Sequence, residues 1–292
     1  MKTLSIVLIL LFISPKVFAL KVLEQQLPFI NYIDIPVETD NQKFVLSGQY
    51  RVPRIESDAA FPAVLVLHSS AGVDSTGSFY IKALNKAGIA TLEVDMWGAR
   101  DLEGGSAGRP DTVQETLPDV FAALKFLAER EEIDAQKIGV LGFSWGGALA
   151  LLSATEQYNA NNANNAVNYQ FAGHVSHYPV CWVYNLLPGF EVSNLTGAPV
   201  LIQAAELDGY DQADTCENMV ANLSEYDAQY VDLKVYKNAY HAWDRLEPTW
   251  IVEDPFANLG QGGEVALSPH ENKALKSRKR VVWFFKELFE IE

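Results

Sequence analysis

The segment GFSWGG, residues 142–147, holds a serine with one glycine two positions before it and another two positions after it. It follows the apolar run KIGVL and leads directly into the helical pattern WGGALALL. A serine on such a strand-to-helix turn lies at a helix N-terminus, where free N–H groups and the positive end of the helix dipole stabilise a developing oxyanion. This setting predicts that Ser144 is a nucleophile rather than the N-cap of a glycine-rich turn.

His241 and Asp208 are the candidate base and acid that a serine nucleophile needs. The histidine follows a predicted strand at residues 231–237, and the aspartate follows one at residues 199–204. Carboxyl ends of parallel strands line one crevice of an open α/β sheet, and the order serine, acid, histidine is the one expected after such a turn. We therefore expect Ser144, Asp208 and His241 to form a catalytic triad.

Two other aspartates are alternatives for the acid. Asp211 is the main one, because it lies three residues beyond Asp208 in the same predicted loop. Asp95 also follows a strand, but it precedes the serine and so fits the expected chain order less well.

Backbone N–H groups are the candidate donors to an oxyanion. The first is that of Trp145, directly after the serine, and the second is expected from the small-residue turn HSSAG at residues 68–72. We assign the second donor to Ser70, with Ser69 as the alternative.

The remaining histidines do not suggest a metal site. His174 and His177 lie three residues apart on one predicted strand, which points them to opposite faces. His270 lies where the last helix is expected to begin. Sequence signatures of zinc sites, EF-hands, P-loops and dinucleotide-binding loops are absent from the sequence, so we predict neither a metal nor a cofactor.

The elements that must position these residues alternate between strand and helix. Short β-rich runs are predicted at residues 30–37, 44–52, 63–67, 89–94, 137–141, 171–177, 199–204 and 231–237. Helical patterns are predicted at residues 78–86, 113–130, 145–155, 213–226 and 271–289. Such alternation indicates an α/β fold: a mainly parallel sheet of about eight strands, with an antiparallel N-terminal edge and helices on both faces. We expect one domain over residues 20–292, with irregular loops at 158–168 and 243–269.

The first 19 residues resemble a cleaved signal peptide. A lysine at position 2 precedes an apolar run at residues 4–13, which is too short to span a bilayer, and Val17 and Ala19 precede the expected cut. An uncleaved anchor is the alternative. We expect export to the periplasm or medium, and an oxidising compartment favours a disulfide between Cys181 and Cys216 over two buried thiols.

Composition narrows the classes of partner. The chain has 292 residues, 49% hydrophobic, and a formal net charge of −15. The apolar fraction excludes intrinsic disorder, and so acidic a chain lacks the clustered cations that bind nucleic acid. No second segment is apolar enough to cross a membrane.

HSSAG, VDMWGAR, GFSWGG, the Asp208 loop and YHAWD together resemble the dienelactone hydrolase family of α/β hydrolases. The resemblance implies an α/β-hydrolase fold, no cofactor and hydrolysis of small esters or lactones. Relatives of this type also tend to carry cysteines where Cys181 and Cys216 stand, which supports the disulfide.

One departure bears on the substrate. Founding members of the family use a cysteine nucleophile and a glutamate where this chain has Ser144 and Ser69. We therefore expect a serine esterase acting on a small ester or lactone other than dienelactone. A peptidase on the same scaffold, and a non-catalytic binding protein that keeps the fold, are the alternatives.

Overall fold

The computed structural model describes residues 27–39, 42–55, 59–160 and 169–291. The expected signal peptide, residues 1–19, lies outside them, as do residues 161–168 of the expected Asn/Ala-rich loop. The assignment of residues 20–292 to one domain stays a prediction.

The centre of the described structure is a sheet of eight strands. In chain order these are β1 Phe29–Glu38, β2 Lys43–Val52, β3 Phe61–Leu67, β4 Ala90–Asp95, β5 Ile133–Phe143, β6 Gly173–His177, β7 Val200–Leu207 and β8 Val231–Tyr240. Across the sheet their order is β1-β2-β4-β3-β5-β6-β7-β8. The pairs β1–β2 and β2–β4 are antiparallel, and every later pair is parallel. The predicted α/β fold with an antiparallel N-terminal edge is therefore confirmed.

Helices cover both faces of this sheet. In chain order they are α1 Ser75–Lys86, α2 Leu117–Ala128, α3 Trp145–Leu152, α4 Glu156–Ala160, α5 Thr215–Ala221, α6 Glu225–Ala228, α7 Ala257–Gly260 and α8 Glu271–Phe289. On β3, Leu65 and Leu67 pack into the apolar cluster that contains α2, whereas Val64 and Val66 pack into the cluster that contains α1 and α8. Because both faces are covered, β3 reads as a continuous apolar run rather than an alternating one. None of the helices in the described ranges is long and apolar enough to cross a bilayer.

Three expectations about local structure were wrong. The helix expected at residues 213–226 is two helices, because the Ser224 side chain accepts the Asp227 N–H at 3.0 Å and starts a new one. Residues 158–160, expected in a loop, belong to α4. The segment 243–269, expected to be irregular, contains an antiparallel pair, β9 Trp250–Asp254 and β10 Gly263–Leu267.

Candidate active site

The turn between β5 and α3 holds Ser144 in a backbone conformation that side chains rarely adopt. Its φ is 51° and its ψ is −107°, and holding a non-glycine residue in such a region costs about 1–3 kcal/mol. Two hydrogen bonds to neighbouring strands fix the turn: the Ser144 N–H donates to His177 O at 2.9 Å, and the Gly146 N–H donates to His68 O at 3.1 Å. The segments at the carboxyl ends of β3 and β6 thus hold the serine at the carboxyl end of the strand between them, β5.

Glycine at positions 142 and 146 is a steric requirement of this turn. A Cβ atom on Gly142 would lie 1.8 Å from Gly146 O, and one on Gly146 would lie 2.3 Å from Leu67 O. Both obstacles are backbone atoms, which cannot rotate away. The G-x-S-x-G spacing therefore reflects how closely β5, α3 and β3 approach one another around Ser144.

The structure brings Ser144, His241 and Asp208 together in one hydrogen-bonded chain. Nε2 of His241 lies 3.0 Å from Oγ of Ser144, and Nδ1 of His241 lies 2.7 Å from Oδ2 of Asp208. Since a carboxylate only accepts, Nδ1 carries the proton and Nε2 is free to accept one from the serine. All three side chains are buried, with the serine 9% exposed.

Two tyrosine rings flank the imidazole of His241. The rings of Tyr178 and Tyr210 each lie edge-on to it, with centroids 4.7 Å away. The Tyr210 N–H also donates to Oδ1 of Asp208 at 3.0 Å, so the carboxylate is held on the side away from the histidine. Packing and hydrogen bonding together fix the orientation of the imidazole and of its carboxylate partner.

The two alternative aspartates bind elsewhere. Asp211 accepts the backbone N–H groups of Cys181 and Trp182 at 2.7 and 2.9 Å. Burial and the neighbouring charge of Asp208 raise the pKa of Asp211 to about 7. Asp95 accepts the N–H of Trp97 at 3.0 Å and closes the turn after β4. Neither is hydrogen-bonded to His241.

The candidate oxyanion donors come from two segments of the chain, the start of α3 and the turn after β3. Trp145 is the first residue of α3, so its N–H has no carbonyl partner within the helix. Ser69 and Ser70 both line a cavity beside Ser144. The carbonyl of Ser70 accepts hydrogen bonds from the Trp97 ring and the Gly105 N–H, at 3.0 and 2.6 Å, and these contacts fix the turn.

Two cavities meet at Ser144, which lines both of them, as does Tyr210. The first, of about 330 Å³, extends towards the loop before β7 and is called here the apolar cavity. Its apolar wall consists mainly of Trp145, Ala148, Val183, Leu187, Phe190 and Phe256. The second, of about 200 Å³, is called here the His241 cavity because it alone of the two is lined by that residue. Its polar wall carries Ser69, Ser70, Asp74, Glu103 and Arg245.

A disulfide joins Cys181 and Cys216, with their Cα atoms 5.1 Å apart, and ties the loop after β6 to α5. Within the described ranges, one group of possible metal ligands has donor atoms close enough together to hold an ion. It consists of these two cysteines and Asp211. Because both sulfur atoms are in the disulfide, the group offers no thiolate to a metal.

The comparisons with known proteins assign the family. The sequence model of the dienelactone hydrolase family matches residues 53–289. The chain belongs to that family. Dienelactone hydrolases and related esterases of solved structure share its fold, the α/β-hydrolase fold. Membership of the dienelactone hydrolase family makes this protein a carboxylic ester hydrolase.

Individual relatives share low sequence identity with this dienelactone hydrolase family member. An uncharacterized protein of Mycobacterium tuberculosis is 31% identical over 198 residues, which cover 66% of this chain and 67% of the relative. A probable 2-oxo-3-(5-oxofuran-2-ylidene)propanoate lactonase of a Bradyrhizobium species is 25% identical over 62% of this chain and 73% of its own. Esterase 2 of Thermogutta terrifontis, in a structure phosphorylated by paraoxon, has a TM-score of 0.60 at 15% identity, covering 89% of this chain and 94% of its own.

A buried carboxylate close to the site was not among the residues predicted from the sequence. Asp244, three residues after His241, is fully buried and accepts hydrogen bonds from Tyr80 Oη at 2.6 Å, Tyr178 Oη at 2.8 Å and His177 Nδ1 at 2.9 Å. Through Tyr178 the carboxylate supports the ring that packs against His241. An acidic residue directly after a tryptophan and close to the histidine, in YHAWD, was the available signal.

Proposed function

We propose that this protein hydrolyses small carboxylic esters through an acyl-enzyme on Ser144, with His241 as general base and acid and Asp208 as its orienting partner. The observation that carries the proposal is the continuous hydrogen-bonded chain, 3.0 Å from serine to histidine and 2.7 Å from histidine to aspartate. This is the arrangement that activates a serine hydroxyl in unrelated folds.

In the first half of the reaction, Ser144 Oγ attacks the ester carbonyl carbon and its proton passes to Nε2 of His241. The carbonyl oxygen becomes an oxyanion, which accepts hydrogen bonds from the N–H of Trp145 and from that of Ser70 or Ser69. Removing one such donor typically costs about 3 kcal/mol of transition-state stabilisation. His241 then returns the proton to the leaving alkoxide, and the alcohol departs.

In the second half, water attacks the acyl-enzyme. His241 removes the proton from that water and afterwards gives it back to Ser144 Oγ, so the free acid leaves and the enzyme is regenerated. Asp208 stays ionised throughout and stabilises the imidazolium that forms in each half.

The test is hydrolysis of p-nitrophenyl esters by the wild-type protein and by Ser144→Ala. We expect turnover to be lost in this variant while the fold is kept. Ser153→Ala is a matched control, because Ser153 is also buried, at the end of α3, and its Oγ contacts Ala150 O and the His174 ring, neither of which belongs to the proposed triad. A fluorophosphonate probe should label the wild type and Ser153→Ala but not Ser144→Ala. Undiminished hydrolysis by Ser144→Ala would refute the assignment.

Lactones are a second candidate class of substrate. The support is the similarity to a protein of a Bradyrhizobium species named as a probable lactonase. A lactone is a cyclic ester, so the same serine chemistry opens it, and the leaving alcohol then stays attached to the acyl group. Comparing a γ-lactone with its open-chain methyl ester would distinguish the two classes.

We also propose that residues 1–19 direct the protein out of the cytoplasm and are then cleaved off. The pattern of those residues supports this, as does the disulfide between Cys181 and Cys216, since such bonds persist in oxidising compartments. N-terminal sequencing of the protein recovered outside the cytoplasm should begin at Leu20.

A further inference from the structure

The two cavities at Ser144 differ in which catalytic group they contain. His241 lines the smaller cavity and is absent from the wall of the larger one, whereas Ser144 lines both. The residues that carry the candidate oxyanion donors are divided between the cavities: Trp145 lines the apolar cavity, and Ser69 and Ser70 line the His241 cavity. A carbonyl attacked by Ser144 therefore has its two substituents in two different environments.

From this we propose an orientation and a substrate class: an ester of an apolar acyl group with a small polar alcohol, its acyl chain in the apolar cavity and its alcohol in the His241 cavity. The inference rests on the proposed triad. The leaving oxygen must lie within hydrogen-bonding reach of His241 Nε2 to receive its proton, so the alcohol occupies the cavity that contains this histidine. The acyl substituent then extends to the opposite side of Ser144.

The lining of the apolar cavity suits an alkyl or aryl acyl group. Its one cation, Arg109, is neutralised by Asp254, with Nη1 at 2.9 Å and Nη2 at 3.0 Å from the two carboxylate oxygens. The guanidinium also lies over the rings of Trp145 and Phe256, at 5.5 and 5.6 Å. Asp111 is exposed to solvent. The volume of the apolar cavity, about 330 Å³, lies at the lower end of the range for small-molecule pockets, about 300–1,000 Å³.

The lining of the His241 cavity does not suit a long alkyl group. Trp250, Val252 and Leu267 form an apolar part of its wall, but Asp74, Glu103 and Arg245 line it as well, together with two serines, so it carries charged groups beside its apolar surface. An alkyl chain there would remove water from these groups without replacing its hydrogen bonds, which is unfavourable. A short alcohol that keeps hydroxyl groups of its own would instead bind to them. The cavity is also the smaller of the two, at about 200 Å³.

A pair of isomeric esters tests the orientation. Methyl octanoate and heptyl acetate have the same atoms, but the long chain is on the acyl side in the first and on the alcohol side in the second. We expect kcat/KM, followed by acid release in a pH-stat, to be at least tenfold higher for methyl octanoate. Equal rates, or faster cleavage of heptyl acetate, would overturn the orientation while leaving the triad intact.

Two neighbouring leucines provide matched variants. Leu187 lines the apolar cavity and is partly buried, whereas Leu186 is 75% exposed and lies outside that lining. In Leu187→Trp the added ring should fill the cavity and lower the ratio of kcat/KM for methyl octanoate to that for methyl acetate at least fivefold. Leu186→Trp should keep the wild-type ratio. An unchanged ratio in Leu187→Trp would overturn the placement of the acyl chain.

Labelling separates failure of this inference from failure of the proposed function. If a fluorophosphonate labels Ser144 and either ester is cleaved, the triad stands and the isomer comparison decides the orientation. If Ser144 takes up no label and neither ester is cleaved, the proposed function fails and the orientation fails with it.

Discussion

Asp208 and Asp211 lie three residues apart in one loop, yet their carboxylates bind different parts of the molecule. Asp208 accepts the Nδ1–H of His241, whereas Asp211 accepts two backbone N–H groups at the start of the loop closed by the disulfide. The first carboxylate orients the imidazole and the second anchors the segment that leads to Val183 in the apolar cavity. Two acidic residues that look equivalent in the sequence therefore have separate tasks.

Replacing each aspartate by asparagine should separate these tasks. In Asp208→Asn the carboxamide no longer favours the tautomer with the proton on Nδ1, so kcat should fall by about 10⁴-fold. In Asp211→Asn one of the Cys181 and Trp182 N–H groups loses its acceptor, because the two bind different carboxylate oxygens, but the bond from Asp208 to His241 is kept, so kcat should stay within about tenfold of wild type. Steady-state kinetics on a p-nitrophenyl ester measures both. The reverse order of effects would assign the acid to Asp211.

Replacing Asp244 should destabilise the protein strongly. In Asp244→Leu the hydroxyls of Tyr80 and Tyr178 and the imidazole N–H of His177 lose their shared acceptor in the buried interior. Breaking such a buried network costs about 3–5 kcal/mol of unfolding free energy. Tyr178→Phe, which removes one donor and leaves the acceptor, should cost only about 1 kcal/mol. Urea unfolding measures both, and equal losses would contradict the shared role of the carboxylate.

His174 should make stability fall as the pH drops below neutrality. Burial lowers the pKa of this histidine from about 6.5 to about 4 in the folded protein. Between those two values the unfolded chain binds a proton that the folded protein does not, so the folded state loses stability as the pH falls from about 6.5 to about 4. At pH 5 this loss is about 2 kcal/mol relative to pH 7.

The variant His174→Gln isolates that contribution. Its amide N–H can replace the Nδ1–H that donates to Ala150 O at 3.0 Å, but it does not titrate. Urea unfolding of both proteins at pH 7 and pH 5 should show a smaller loss in the variant by about 2 kcal/mol. Identical pH dependence in the two proteins would contradict a depressed pKa at this position.

Removing the disulfide should lower the free energy of unfolding, because the unfolded chain then gains conformational entropy. The bond joins residues 35 positions apart, and loop-closure entropy for a loop of this length is worth about 4 kcal/mol. We expect Cys181→Ala/Cys216→Ala to unfold at correspondingly lower urea concentration, and reduction of the wild type to have a similar effect. A loss below about 1 kcal/mol would indicate that other contacts already hold the loop after β6 against α5.

Local patterns in the sequence predicted the parts of the structure that depend on local chemistry. The apolar run at β3 reflects the burial of that strand on both faces, and the glycines around Ser144 reflect the close approach of neighbouring backbone. The hairpin of β9 and β10 was missed because its apolar residues do not follow its burial: Trp250 and Ile251 are exposed, whereas Asp254 is buried by its pairing with Arg109. Such a strand lacks the alternation on which sequence interpretation relies.

The surroundings of His241 depend on contacts between distant parts of the chain, which sequence patterns do not show. That Ser144, Asp208 and His241 lie close together was predictable because each follows a strand end, in a known order. Tyr178, which packs on one side of the imidazole, is 63 positions before it, and Tyr80, which shares Asp244 with Tyr178, lies on α1. Only the fold brings these side chains together.

The segment that carries β9 and β10 begins and ends at nearly the same point. The His270 N–H donates to Trp243 O at 2.7 Å, and the Ser268 N–H donates to His241 O at 3.2 Å. These two hydrogen bonds join the two ends of the segment to each other, and neither involves a residue between them. Phe256 within it lines the apolar cavity and Trp250 and Val252 line the His241 cavity, while His241 and α8 lie outside the segment. Exchanging residues 246–266 between relatives should therefore be a route by which substrate preference diversifies, in evolution or by engineering, without rebuilding the catalytic centre.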